Sequence, residues 1–120
     1  MYDVLDRPVA ELPDFERETL LALRRWVHAV SLAPAGAALP ADDPLGRALQ
    51  ALDRGSSSEI VVQRPCFATV EEPEAVLLGI WQLVRRGDAT AARGVIAMLV
   101  DPRSATILFD AVCEMVRASA

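Results

Sequence analysis

The sequence predicts an all-α fold: one domain over 1–120, built as a compact bundle of about five helices with an irregular N-terminal arm. The 120-residue chain is 52% hydrophobic and 24% charged, which is too apolar for a disordered chain and sufficient for one core. Aromatic residues make up only 5%, whereas alanine occurs 20 times. This balance favours closely packed helices over an aromatic-rich β-sheet.

The arm occupies the first dozen residues, because Pro8 and Pro13 interrupt regular structure. Its apolar side chains are expected to dock on the core; they are Val4, Leu5, Val9 and Leu12. The first helix is predicted over 14–31, with Asp14 as its N-cap.

The two sides of this first helix follow from advancing 100° per residue. The projection places Arg17, Arg24 and His28 on the solvent side. The opposite, apolar side consists of Phe15, Thr19, Ala22, Leu23, Trp26, Ala29 and Val30, and Leu20 and Val27 widen it. One flank of the helix is therefore expected to be buried.

A second, shorter helix is predicted over 44–54 after a connecting loop over 32–42. Asp43 supplies its N-cap, Pro44 suits its first position, and Gly55 supplies a C-terminal stop. Three serines then interrupt the chain before the β-branched run at 59–63. That run is predicted to be extended, and it is too short for periodicity to separate strand from coil.

The third helix is predicted to start at residue 70 or 71 and to end near 86. Thr69 and Glu72 have the spacing of a capping box, and Gly87 supplies the stop. The apolar stripe leaves three polar side chains facing solvent, and these are Glu74, Gln82 and Arg85.

Two further helices complete the prediction. The fourth, 89–100, follows the cap residue Asp88 and is apolar on most sides, so it is expected to be the central and most buried helix. The fifth opens at Asp101-Pro102 and runs to about 118. Its predicted polar strip contains Arg103, Asp110, Glu114 and Arg117.

Charge and hydropathy exclude several function classes. The formal net charge of −5 disfavours a nucleic-acid partner, because the overall field repels phosphates. No apolar stretch approaches the roughly twenty residues of a membrane-spanning helix. The acidic N-terminal residues Asp3 and Asp6 do not fit a secretory signal, so the protein is predicted to be cytoplasmic.

The sequence contains no recognisable catalytic motif, and no catalytic residue, cofactor or metal is predicted. His28 is the only histidine, so a metal site would need His28, Cys66 and Cys113 to converge without any of the usual ligand spacings. No G-x-S-x-G elbow is present, and the glycines at 87 and 94 lack the G-K-[ST] ending of a phosphate loop.

Two candidate sites remain. Cys66 is the better candidate for a reactive thiol, because it lies just before a predicted helix start, where a thiolate is stabilised. Its apolar neighbours Val61, Val62 and Phe67 favour burial in the core instead, and a disulfide with Cys113 is not expected. The candidate anion or partner contact comprises Arg24, Arg25, His28, Arg85 and Arg86.

Two segments, Leu12-Pro13-Asp14-Phe15-Glu16 and Leu23-Arg24-Arg25-Trp26-Val27, carry a resemblance to a known family. They resemble the opening of a family of short helical alphaproteobacterial proteins of unassigned activity. A later stretch of that family, Cys-x-x-x-x-x-Glu, corresponds to Cys66 through Glu72. The resemblance covers about a quarter of the chain and implies a bacterial helical domain, with no activity to carry over.

The expected function is contact with another protein, in a homodimer or as a regulatory adaptor, without enzymatic activity. The apolar stripes over 14–31 and 71–86 each cover nearly half a helix, and a small monomer has little with which to cover them. The alternative is a small-molecule-binding or thiol-dependent protein that uses Cys66 in an inter-helix pocket, together with Arg24 or His28.

Overall fold

A computed structural model describes residues 5–32, 43–56 and 62–118. The protein is all-α, as predicted, and the five helices in these ranges are α1 (Asp14–Leu32), α2 (Pro44–Gly55), α3 (Glu72–Arg85), α4 (Ala89–Leu99) and α5 (Pro102–Ala118). A short 3-10 turn, Val9–Glu11, precedes α1. Over the same ranges, no helix has the length and apolar character needed to cross a membrane.

Some predicted elements fall on residues outside these ranges. They include Val4, nearly all of the loop over 32–42 and most of the extended run at 59–63. Val62 and Gln63 belong to the described part of that run and have no regular secondary structure.

The described residues form two compact units. The first comprises 5–32 and 62–78, and the second comprises 43–56 and 79–118. Helix α3 contributes 72–78 to the first unit and 79–85 to the second.

In the first unit the N-terminal arm pairs with the segment that precedes α3. The amide of Asp6 donates to the Val70 carbonyl at 2.9 Å, and the Val70 amide donates to the Arg7 carbonyl at 3.1 Å. The arm also docks on the core as predicted. Leu5 packs against a cluster of buried side chains made of Val9, Leu12, Leu20, Val70, Ala75 and Leu78.

The predicted start of α3 is wrong. A helix that began at 70 would need the N–H of residue 73 to bond the Thr69 carbonyl, and Pro73 has no N–H. The helix begins at Glu72 instead, and the Glu71 amide donates to Glu74 Oε1 at 3.2 Å. Glu74 therefore makes the return bond of a capping box two residues later than the sequence pattern indicated.

The start of α1 also differs, because Asp14 is its first helical residue and not its cap. The Arg17 amide donates to the Pro13 carbonyl at 2.9 Å, which places Pro13 at the cap position. The Asp14 carboxylate accepts instead from the Arg17 side chain at 2.7 Å.

The second unit confirms the predicted helix boundaries closely. The side chains of Asp43, Asp88 and Asp101 each accept from the backbone N–H three residues on, at 3.0, 3.1 and 2.8 Å. Gly87 ends α3 in the left-handed conformation, with φ +83°. Glycine suits this position because the same conformation is strained for residues with a Cβ. Helix α5 packs against α2 and α4, and Arg47 of α2 forms an ion pair with Glu114 of α5.

The prediction that α4 is the central and most buried helix is wrong. Its buried residues are Ala92 and Ile96, whereas Met98 is 84% exposed. The most buried helix is α3, where Ala75, Leu77, Leu78, Ile80 and Trp81 are all enclosed. Gln82 of α3, expected at the surface, is buried as well. Periodicity shows that a helix is apolar but does not show which apolar helix the others enclose.

Gly55 permits a close approach between the end of α2 and the start of α5. A Cβ at this position would lie 2.4 Å from both Cβ and Oγ of Ser104 and 3.1 Å from Cβ of Val100. The Asp101 amide also donates to the Gly55 carbonyl at 3.1 Å. Glycine is therefore required here for space.

We expect Gly55→Ala to lower the free energy of unfolding by about 1–3 kcal/mol, because backbone or Ser104 must shift to admit the methyl group. Gly94→Ala is the matched control, since a Cβ there would have no atom within 4 Å apart from its own helix backbone and chain neighbours, and it should gain up to about 1 kcal/mol from helix propensity. Urea denaturation followed by circular dichroism measures both changes. Wild-type stability of Gly55→Ala would contradict the close approach.

Candidate functional site

Arg24 is buried, which corrects its predicted place on the solvent side of the first helix. Both Arg24 and Glu74 have no exposed surface, although Glu74 was also expected to face solvent. Arg24 Nε donates to Glu74 Oε2 at 2.8 Å, and Arg24 Nη2 donates to Glu74 Oε1 at 2.7 Å. The two side chains therefore form a bidentate ion pair away from water.

Backbone groups satisfy the remaining hydrogen-bonding capacity of this pair. Arg24 donates to the carbonyls of Phe67 and Thr69 at 2.7 and 2.8 Å. Glu74 accepts from the amide of Gln63 at 3.0 Å and from that of Glu71 at 3.2 Å. Arg24, Glu74 and these four backbone groups constitute what we call the buried clamp.

The clamp joins three parts of the first unit: α1, the segment 62–71 and the first turn of α3. The guanidinium carbon of Arg24 also lies 5.9 Å from the centre of the Phe67 ring. Because its donors are directed to Glu74 and to backbone carbonyls, Arg24 does not belong to the predicted surface contact for an anion or a partner. Its role is to hold the segment 62–71 in place.

The sequence contained a weak signal for this burial. Leu20 lies four residues before Arg24 and was assigned to the widened apolar side, so the two side chains share a flank of α1. Leu20 and Leu23 are both fully buried beside it. What the sequence lacked was any sign that a carboxylate 50 positions away faces the guanidinium.

The other residues of the predicted anion or partner contact lie at the surface. Arg25 and His28 are exposed on α1, in the first unit, as the helical projection indicated for His28. Arg85 and Arg86 are exposed at the C-terminal end of α3, in the second unit. Their role in binding an anion or a partner stays a prediction.

Cys66 is exposed, so the prediction that it packs in the core is wrong. It lies in a turn with Pro65, six positions before the first residue of α3, and therefore not at a helix N-terminus. Cys113 is half-buried on α5, and both residues are free thiols. In the part of the chain that the structure describes, no group of three His, Cys, Asp or Glu side chains is arranged to hold a metal ion.

An open groove of about 290 Å³ lies between α4 and α5 in the second unit. Its lining is mainly apolar and includes Ile96, Val100 and Phe109, and two charged residues, Arg93 and Asp110, also line it. Cys66 is not among the lining residues. This groove is therefore not the inter-helix pocket with Cys66 that the sequence suggested.

The exposed side of α4 adjoins this groove. It consists of Thr90, Arg93, Gly94, Ala97 and Met98, all of which are exposed, and we call it the outer face of α4. Arg93 and Ala97 belong to both the outer face and the groove. Sequence reasoning missed this surface because α4 was expected to be enclosed.

We expect Arg24→Met to lower the free energy of unfolding by about 3–5 kcal/mol, because it leaves Glu74 as a buried, uncompensated carboxylate. Adding Glu74→Gln to that variant should recover part of the loss, since the buried charge is then removed. Arg25→Met, an exposed neighbour, should change stability by at most about 0.5 kcal/mol. Urea denaturation tests the series, and a double variant less stable than Arg24→Met would contradict the clamp.

We expect a maleimide reagent to label Cys66 rapidly in the folded protein, because the thiol is exposed, and to label the half-buried Cys113 more slowly. Cys66→Ser should remove the rapid phase and Cys113→Ser should retain it. The rate for Cys66 in urea provides the reference. A folded-state rate above that reference would indicate an activated thiol, whereas labelling only upon unfolding would contradict the exposure.

Comparison with known proteins assigns no family to the chain. No protein-family model, curated protein or solved structure matches it. The resemblance to short alphaproteobacterial proteins stays a prediction. Function is therefore inferred from the buried clamp, the exposed thiol and the outer face of α4.

Proposed function

We propose that the protein is non-enzymatic and acts through protein–protein contact, with the outer face of α4 as its docking surface and a second copy of the chain as its partner. The observation that carries this proposal is the 84% exposure of Met98. Arg93 is the one charged residue among the eleven of α4. A helix of this composition is normally enclosed by protein.

The residues of the outer face lie along one side of α4, and Ala97 and Met98 are its apolar members. Thr90, Arg93, Gly94, Ala97 and Met98 follow the i, i+3, i+4, i+7, i+8 pattern. A partner that covered this face would remove the Met98 side chain from water.

The sequence-based reason for a dimer needs correction. It rested on uncovered stripes along the first and third predicted helices, but the central side chains of those stripes are enclosed within the chain. They include Leu20, Leu23, Leu77, Ile80 and Trp81. The uncovered apolar surface that supports the proposal belongs to α4 instead.

A second copy of the chain fits this surface because the surface carries both a positive and a negative side chain. The groove presents a cation, Arg93, on α4 and an anion, Asp110, on α5. A two-fold axis that passes between the two side chains brings Arg93 of each copy against Asp110 of the other. The net charge of −5 repels two copies at long range, but salt at physiological strength screens that repulsion beyond roughly 8 Å.

The buried clamp has a structural role in this proposal. Arg24 and Glu74 are each bonded to the other and to two backbone groups. A fully satisfied pair of this kind stabilises structure. The cytoplasmic location remains part of the proposal.

Thiol chemistry at Cys66 is a second candidate function, favoured by the exposure of that side chain. A thiol must be accessible to react with a small molecule or another thiol. The labelling rate described above separates this candidate from the first, because a contact protein needs no activated thiol.

We expect the wild-type protein to be a dimer at tens of micromolar and Met98→Asp to raise the dimer Kd about tenfold or more, the equivalent of ~1.4 kcal/mol. A carboxylate at this position would have to lose water in the interface. Sedimentation velocity over a concentration series measures the change.

Ile107→Asp is the matched control, because Ile107 is a 48% exposed apolar residue of α5 outside the outer face of α4. It should weaken the dimer less than Met98→Asp does. A wild-type chain that stays monomeric at high concentration contradicts the proposal, and so does a dimer that Met98→Asp leaves intact. Co-purification of a different protein with a monomeric chain would indicate the regulatory adaptor instead.

A further inference from the structure

We infer that two copies of the chain pair about a two-fold axis, with Arg93 of each copy forming an ion pair with Asp110 of the other. The inference rests on the proposed function and defines the contacts by which the outer face of α4 recognises its partner. The supporting observation is that Arg93 and Asp110 are exposed and form no ion pair with other described residues.

Arg93 and Asp110 are both exposed, and both line the groove between α4 and α5. Among the residues that the structure describes, neither side chain forms an ion pair. Glu114, four residues further along α5, already pairs with Arg47. The groove thus presents one cation and one anion that are both available to a partner.

The Arg93 guanidinium lies against an aromatic ring. It lies 4.2 Å from the centre of the Phe109 ring, within the range of a cation–π contact. A guanidinium on a ring face can still direct its N–H groups outward, and its flat shape suits bidentate contact with a carboxylate. Phe109 therefore orients the donor without consuming it.

Two-fold symmetry determines which charges meet. In such an interface, if residue i touches residue j, then j also touches i, so a contact between Arg93 and Asp110 occurs twice. A register that placed Arg93 against Arg93, or Asp110 against Asp110, would bring like charges together. The crossed ion pairs would lie beside the mainly apolar lining of the grooves, where exclusion of water strengthens the attraction between opposite charges.

The inference is tested with Arg93→Glu and Asp110→Arg, made separately. Each variant alone places like charges opposite each other at both contacts, so each should have a dimer Kd at least about tenfold above the wild-type value. Mixed in equal amounts, the two variants should form a heterodimer with a Kd within about threefold of wild type. In that heterodimer one contact joins the two introduced charges, and the other joins native Asp110 to native Arg93.

Sedimentation velocity with one variant fluorescently labelled measures the heterodimer. The double variant Arg93→Glu/Asp110→Arg, which reverses both charges within one chain, should dimerise with itself and serves if a single variant folds poorly. Arg103→Glu, an exposed charge of α5 outside the groove lining, is the control and should leave the wild-type dimer unchanged.

The outcomes distinguish this inference from the proposal on which it rests. A wild-type dimer that Met98→Asp disrupts, without recovery in the mixture or in the double variant, overturns the Arg93–Asp110 pairing and leaves the outer face of α4 as the interface. Single variants that dimerise like wild type also overturn the pairing. A monomeric wild-type chain overturns both.

Discussion

The ion pair between Arg24 and Glu74 is the interaction on which the first unit depends. Removing two charges from water costs several kcal/mol for each ion, and only close geometry with additional hydrogen bonds offsets that cost. Here two direct bonds and four bonds to backbone groups provide it. Because the backbone partners lie in the segment 62–71, the pair keeps that irregular segment against α1 and the start of α3.

Further features of the first unit follow from this constraint. The N-terminal arm forms backbone hydrogen bonds with Ala68 and Val70, which flank the Thr69 carbonyl that Arg24 binds. The turn that contains Cys66 immediately precedes Phe67, whose carbonyl is the second backbone acceptor. Arg24 thus binds the same stretch of chain that pairs with the arm and that carries the exposed thiol.

The two units depart from simple amphipathic patterning in opposite ways. In the first unit charged side chains are buried, and their partners lie within the same unit. In the second unit an apolar helix is exposed along its outer face, and the described residues contain nothing that covers Met98. Departures of this kind are expected at functional or strained sites. The buried ion pair has its partners within the chain and stabilises the first unit. The exposed face of α4 is the basis for the proposed contact. In that contact Met98 contributes buried apolar surface, and Arg93 and Asp110 set the orientation of the two copies.

The sequence by itself determined the helical class and most helix boundaries, because these depend on residues within four positions of each other. Asp43, Asp88 and Asp101 cap helices as predicted, and Gly87 ends one, through contacts that a local motif contains. Tertiary structure decided the rest. Helical periodicity assigned Arg24 to a polar side, but only the fold shows that Glu74, 50 positions away, supplies its counter-charge. The same limit applies to α4 and to Cys66, since burial depends on which elements enclose a residue, and that is settled by packing between distant parts of the chain.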